Sequence, residues 1–291
     1  APPAPAAPPL AQTGARLTEL VKIMDRLLAP DGCPWDREQT LATLRPYLIE
    51  ESYEVLEALD HGDPDAHRDE LGDVLFQIVF QSALRAREGR FGIDDVCTSV
   101  ARKMTVRHPH VFGDVVVKDS KEVLKNWGAL KAAEHARAGI KRKTLDGVPA
   151  SLPALLRAQR LGEKAANVGF DWPDSPQGLA EVIGKVEEEI GELREAVSDA
   201  ATASHPPSEP TADMAAELGD LLFSLVNLAR HIKVNPEESL RQATNRFTAR
   251  FQHIEHEAAR SGRSVHDLTT AEMDHYWNAA KRLEAAPKTA L

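Results

Sequence analysis

The chain has only two cysteines, Cys33 and Cys97, far apart and neither in a CxxC pair. That excludes a disulfide framework and a thiolate zinc site, and it fits a reducing, cytoplasmic setting. There is no surplus of basic charge either, because 35 Lys and Arg stand against 45 Asp and Glu for a formal net charge of −10. This balance leaves no electrostatic footprint for nucleic acid and repels anionic membranes, so an anionic ligand must be met by local positive charge or by a metal. No stretch approaches the roughly 18 consecutive apolar residues that a membrane span needs. The opening "APPAPAAPPLAQTGA" lacks the basic-then-apolar order of a signal peptide, and residues 1–16 read as a disordered Pro/Ala-rich tail. Alternating strand patterns are scarce, the best being the valines at 115–117.

What is present is helical periodicity. Apolar residues recur at helix spacing in Leu71, Val74, Leu75, Ile78 and Val79, and again in Leu218, Leu221, Leu222, Leu225 and Val226, which predicts an all-α fold. Gly and Pro breakers in "DHGDPD" (Asp60 to Asp65) and in "ATASHPPSEPTAD" divide the chain into two helical hairpins. The halves repeat each other: "GCPWD" is echoed by "GFDW", "EESYE" by "EEIGE", and "ELGDVLF" by "ELGDLLF". Glu51 to Glu70 spans 19 residues and Glu189 to Glu217 spans 28, the extra length falling in the polar "SHPPSEP" loop. A basic pair follows each copy, Lys103 and Arg107 or Arg246 and Arg250, and then Trp127 or Trp277. The predicted organisation is an N-terminal domain over 17–134, a linker over 135–152, a C-terminal domain over 153–283 and a short tail over 284–291.

The repeated unit carries carboxylates at three-residue spacing, Glu51 and Glu54 then Glu70 and Asp73, with Glu189 and Glu192 then Glu217 and Asp220 as the second set. Residues three apart share one helix face, so a hairpin of two such helices can gather four carboxylates. Like charges held a few ångströms apart repel strongly, and a divalent cation removes the repulsion. An all-oxygen donor set suits Mg²⁺, with Mn²⁺ as a substitute. A single ExxE is an ordinary solvated surface; its recurrence at two hairpins beside apolar faces is not explained that way. Di-iron bundles need Glu-x-x-His pairs, and both Glu70 and Glu217 are followed by Asp instead.

The ordered combination closely resembles the MazG family of nucleoside triphosphate pyrophosphohydrolases: duplicated EExxE and ExxD helices, "GCPWDREQT" ahead of the first, "RHPHVF" after it, and "NVGFDW" opening the second. The resemblance covers about Leu17 to Leu283. It implies tandem MazG-like helical domains that form four-helix-bundle units, completed by homodimerisation, and Mg²⁺-dependent cleavage of (d)NTPs to NMP and pyrophosphate with broad base specificity in nucleotide-pool housecleaning. By motif position it implies Glu189, Glu192, Glu217 and Asp220 as metal ligands of the second domain, and Glu51, Glu54, Glu70 and Asp73 of the first. Lys185, Arg246, Arg250 and Trp277 match the nucleotide-contacting set, with Lys103, Arg107 and Trp127 in the first domain, where Tyr47 stands in the place of Lys185.

Other readings stay open at this point. Glu188 or Glu50 is a candidate general base, or a neighbour that orients a metal ligand. Trp277 and Trp127 are equally placed to stack on a base or to fill the core. Lys103 and Arg107 read alternatively as surface charges, His108 and His110 as a structural turn, and Cys33 as a small packed residue. One or both domains could be nucleotide-binding or dimerisation modules without turnover, or the enzyme could be a narrow dUTP or dCTP pyrophosphatase. Base preference depends on pocket shape that motif spacing does not set.

Overall fold

Every regular element among the described residues is helical, as the apolar spacing predicts. The computed structural model describes residues 10–137, 139, 143–202 and 211–285. Residues 115–117 pair with no strand, and lie in an irregular stretch. The chain divides into two compact units, Ala1–Gly139 and Ile140–Leu291.

The first unit holds α1 (Leu10–Leu27), α2 (Pro34–Glu38), α3 (Arg45–His61), α4 (Pro64–Arg87), α5 (Ile93–Arg107), α6 (Pro109–Phe112) and α7 (Ser120–Arg137). Helix α1 takes in residues 10–16, which composition reads as tail. The proline run stops at Pro9, and of the residues that follow only Gly14 is a poor helix former in an interior. Residues 1–9 of the tail lie outside the described residues. Helix α4 packs on α1, α3 and α5. Its Val79 and Phe80 are buried with Met24, Leu28 and Leu44, while Tyr47 and Phe76 pack against that cluster.

Two local features set the α3–α4 hairpin and its approach. At Gly32 a Cβ would come within 2.2 Å of the Leu27 carbonyl oxygen, so only glycine lets the chain fold back over the end of α1. Helix α3 stops at Gly62 in the left-handed region with φ 70°. Asp63 then starts α4, its Oδ1 accepting the backbone N–H of Asp65 at 2.9 Å and of Ala66 at 3.3 Å. A connection this short forces α3 and α4 to run antiparallel, side by side.

The second unit holds α8 (Ala154–Ala166), α9 (Pro176–Thr202), α10 (Ala212–His231), α11 (Pro236–Arg260), a 3₁₀ turn at Val265–Asp267 and α12 (Thr270–Ala285). Helix α10 packs on α9 and α8, and α11 on α8 and α12. Val182, Val186 and Val226 are buried along α9 and α10. Ile254, Ala258 and Leu268 form a second cluster covered by Met273, Tyr276 and Trp277. The "SHPPSEP" loop and residues 286–291 lie outside the described residues.

The helices of both hairpins also carry apolar residues that the described residues of their unit cover only in part. Ile49, Tyr53 and Leu56 on α3, Leu71, Leu75 and Ile78 on α4, Ile183, Ile190 and Val197 on α9, and Leu218, Leu222 and Leu225 on α10 are each 38–55% exposed. Their spacings of three, four and seven place each trio along one helix face. No described helix is long and apolar enough to cross a membrane.

Candidate metal centre

In the first unit α3 and α4 bring one carboxylate oxygen from each of Glu51, Glu70 and Asp73 within 4.8 Å of one another. Glu54 lies outside that trio, yet near enough to hydrogen-bond Glu51 and to act on the charge of Glu70. Partial burial, then the charge of Asp73, then Glu54 push the Glu51 carboxyl above the usual carboxylate range, against a hydrogen bond from Gln77. Partial burial followed by Glu54 and Asp73 does the same to Glu70. Gln77 is itself buried, and its Oε1 has no hydrogen-bond partner.

In the second unit α9 and α10 bring Glu189, Glu192 and Glu217 together within the same 4.8 Å limit. Asp220, on the next turn of α10, is exposed and outside the trio. Glu189 is buried, and Lys185 Nζ sits 2.7 Å from it and 2.9 Å from Glu188. These two carboxylates, Glu189 foremost, hold the Lys185 ammonium protonated well above its ordinary range. Partial burial, then the charge of Glu189, raises Glu192.

The two cradles differ at the position one helical turn before the first ligand. Tyr47 stands in the place of Lys185 and is used elsewhere, packing on the core cluster and edge-on to Trp35 at 5.8 Å. Gln77 contacts Glu51 where the second copy has Ser224. The first trio therefore has an amide beside it, and the second an ammonium.

The donor set in each cradle is carboxylate oxygen, with no His or Cys in either trio. Hard divalent cations such as Mg²⁺ or Mn²⁺ fit such ligands, and would relieve the carboxylate repulsion that adds to burial in raising Glu51, Glu70 and Glu192. Glu188 is exposed and tied to Lys185. Glu50 is exposed on α3.

The basic and aromatic candidates form a second arrangement, present in both units. Arg107 Nη2 lies 2.7 Å from Glu134, and its guanidinium carbon 5.9 Å from the Trp127 ring centre. Arg250 Nη2 lies 2.7 Å from Glu284, and its guanidinium carbon 5.4 Å from the Trp277 ring centre. Lys103 is half-buried on α5 and Arg246 exposed on α11. Trp277 also packs on Ile254, Ala258 and Leu268 and against Phe247, ring centres 5.3 Å apart. Trp127 meets the His108 ring edge-on at 4.7 Å. His108 Nδ1 lies 2.6 Å from the Met104 carbonyl oxygen, and His108 is the junction between α5 and α6, with Pro109 and His110 in the first turn of α6. Cys33 is half-buried ahead of α2.

Glu134 and Glu284 were not among the sequence candidates. A signal for them exists: "WGALKAAE" and "WNAAKRLE" share W-x-A-x-K-x-x-E. It is easily missed because it lies beyond the acidic motifs, in helices whose other residues differ.

A family model described as the MazG nucleotide pyrophosphohydrolase domain matches residues 39–112 and 177–255, and so encloses each cradle once. The chain is 42% identical over 274 residues to a nucleoside triphosphate pyrophosphohydrolase of Escherichia coli, covering 92% of this chain and 98% of that protein. It is 41% identical over 270 residues to the nucleoside triphosphate pyrophosphohydrolase/pyrophosphatase MazG of Thermotoga maritima, covering 93% of this chain and 97% of that one. Against the uncharacterized protein YabN of Bacillus subtilis it is 44% identical over 262 residues, 90% of this chain but 51% of that protein.

Proposed function

This chain belongs to the MazG nucleotide pyrophosphohydrolase family, and we propose that it hydrolyses nucleoside triphosphates to the monophosphate and pyrophosphate. The observation that carries the reading is the convergence of three carboxylates on facing helices, found twice and each time inside a segment that matches the family. Glu189, Glu192 and Glu217, with Asp220 one turn on, hold Mg²⁺ in the second unit, and Glu51, Glu54, Glu70 and Asp73 do so in the first. Bound there, the ion supplies charge neutralisation on the triphosphate and makes a nearby water more acidic. Glu188, or Glu50 in the first copy, takes the proton from the water that attacks the α-phosphorus. The bond from that phosphorus to the oxygen bridging to the β-phosphate breaks, and pyrophosphate departs. Lys185, Arg246 and Arg250 offset the phosphate charge, as Lys103 and Arg107 do in the first copy.

Two further parts of the reading rest on separate observations. The apolar faces of α3, α4, α9 and α10 are half-exposed, and such faces mark interaction surfaces. A second copy of the chain covers them in a homodimer that completes four-helix bundles. The second cradle is the stronger site, because Lys185 is present there while the first copy's equivalent, Tyr47, is committed to the core; the first copy is a weaker or non-hydrolysing nucleotide module. Broad action across canonical and damaged (d)NTPs is part of the proposal, with a narrow dUTP or dCTP preference as the competing outcome.

The test is product analysis over a (d)NTP panel with Mg²⁺. NMP and pyrophosphate are expected with several bases, and with Glu189→Gln losing far more activity than Glu51→Gln. Release of orthophosphate and NDP would refute cleavage between the α and β phosphates, and full activity in the double variant would refute the carboxylate assignment.

A further inference from the structure

The Arg–Trp–Glu arrangement lies partly outside both family-matched segments, since Trp127, Glu134, Trp277 and Glu284 all fall beyond residues 112 and 255. Its geometry is the same in both units. Glu284 accepts from Arg250 Nε at 3.1 and 3.2 Å and from Nη2 at 2.7 Å. Glu134 accepts from Arg107 Nε at 3.2 Å and Nη2 at 2.7 Å. In each case the carboxylate takes the side edge of the guanidinium, and among the described residues no hydrogen bond engages Nη1. The aromatic ring of Trp277 or Trp127 lies under the same guanidinium.

The spacing shows what has been kept. The Arg-to-Trp interval is 20 residues in the first copy and 27 in the second, yet the Trp-to-Glu interval is seven in both. Seven residues are about two helical turns, which puts the ring and the carboxylate on one face of α7 or α12. Glu284 also has Lys281 three residues before it on the same helix and is nonetheless hydrogen-bonded to Arg250 across the helix pair. A guanidinium is a five-donor fork, and holding one edge on a fixed carboxylate while a ring fixes its plane leaves the other edge aimed and ready for a second anion.

We propose that Glu284 is a positioning residue for the triphosphate: it grips the Nε–Nη2 edge of Arg250 against Trp277, so that the Nη1 end is presented to a phosphate oxygen. Glu134 does the same for Arg107. Trp277 then acts as the platform for the arginine rather than for the base. The inference rests on the nucleotide-hydrolysing reading above, because it supplies the anion that the fork meets. Glu284 is about a third exposed and glutamine keeps an oxygen that can accept from Arg250, so the change should be felt at the ligand more than in the fold.

The experiment compares wild type, Glu284→Gln, Arg250→Ala and the double variant. Each is measured for KM and kcat with Mg²⁺ and NTP, for melting temperature, and for affinity toward an α,β-methylene triphosphate that cannot be cleaved. Glu284→Gln is expected to raise KM and the analogue's Kd about fivefold to tenfold, with kcat within about twofold and the melting temperature near wild type. In the Arg250→Ala background the same change should add nothing. The inference is overturned by an analogue Kd within about twofold of wild type, by a full additional loss in the Arg250→Ala background, or by a drop in melting temperature that accompanies the KM effect. An inactive wild type that still binds the analogue more tightly than Glu284→Gln would sink the hydrolysis reading and leave the positioning role standing.

Discussion

Removing a negative charge from the first cradle should stabilise the metal-free protein, which is the reverse of what a structural carboxylate does. Glu51 lies within 4.8 Å of both Glu70 and Asp73 by its nearest oxygen, and among the described residues no ammonium pairs with that trio as Lys185 does with the other. Two unit charges about 5 Å apart repel by ~0.8 kcal/mol in bulk water and by ~3 kcal/mol at the screening of a partly buried site. Glu51 is half-buried but Asp73 is exposed, so their repulsion lies near the water value, at ~1 kcal/mol. Glu51→Gln keeps the size and the amide contact to Gln77 while removing the charge. In EDTA the variant should melt about 3 °C higher for a unit of this size. With Mg²⁺ in excess the order should reverse, because wild type gains the binding energy of the cation and the variant has lost one ligand charge. The pH dependence has a definite sign. Folding raises the Glu51 and Glu70 carboxyls above their unfolded value of 4.5, so the native state holds more protons and the penalty is full above the folded pKa values. It relaxes as the pH falls through them toward 4.5, and the advantage of the variant shrinks over that window. Melting curves with and without Mg²⁺ decide the matter. A lower melting temperature for the variant in EDTA, or an unchanged Mg²⁺ shift, would refute the cradle as a repulsive cation site.

Glu272 is the opposite case: Arg263, then the backbone N–H and hydroxyl of Thr269, pull its carboxyl down to about 2. Its contribution is present above pH 4.5 and lost as the pH falls toward about 2, so the destabilisation caused by Glu272→Gln at neutral pH should vanish in acid; melting temperatures over a pH series check this. Phe80, buried among Met24, Leu28, Leu44 and Val79, should cost ~3–5 kcal/mol when truncated to Ala, measured by urea unfolding. Leu222→Lys places an ammonium on the apolar face of α10, and light scattering after gel filtration should show the wild type at twice the chain mass and the variant at once. A wild-type monomer would refute the covering of these faces by a second copy.

The helices were legible because their apolar spacing has a period that strands cannot share, and the hairpin turn because Gly62, Asp63 and Pro64 are local chemistry. The carboxylate motif was legible as two pairs on neighbouring faces. Which oxygens meet was not, because three-residue spacing places Glu54 beside Glu51 and Asp220 beside Glu217 without setting the side-chain directions. The structure groups Glu51 with both residues of its facing pair, but Glu189 with Glu192 and only one facing residue. The start of α1 at Leu10 was hidden by composition, since the short mixed segment after Pro9 follows a Pro/Ala-rich run and carries no cap signal. Glu134 and Glu284 were hidden for a different reason: their partners come from another helix, and pairing across helices leaves no periodic trace.

The unequal treatment of Tyr47 and Lys185 explains how two copies with the same acidic motif can come to differ in function. In the second copy Lys185 does two things at once, neutralising the buried Glu189 and holding positive charge where an anion would arrive. In the first, the same helix position is turned to packing, with Tyr47 against Phe80 and its neighbours and against Trp35. Changing Tyr47 to Lys would not simply restore the ammonium, because it would also strip an aromatic ring from the core and leave a long cation at its edge. Packing therefore favours Tyr47 at this position, while the acidic trio and the Arg107–Glu134–Trp127 arrangement are still present in this copy. On the proposed reading the first copy keeps the acidic trio and Arg107 but has Tyr47 where the second has the Lys185 ammonium. The assay that separates the copies is thus nucleotide affinity with each cradle inactivated in turn: the first copy should bind Mg²⁺ with the triphosphate more weakly than the second, and it should lose that binding when Arg107 is replaced by Ala.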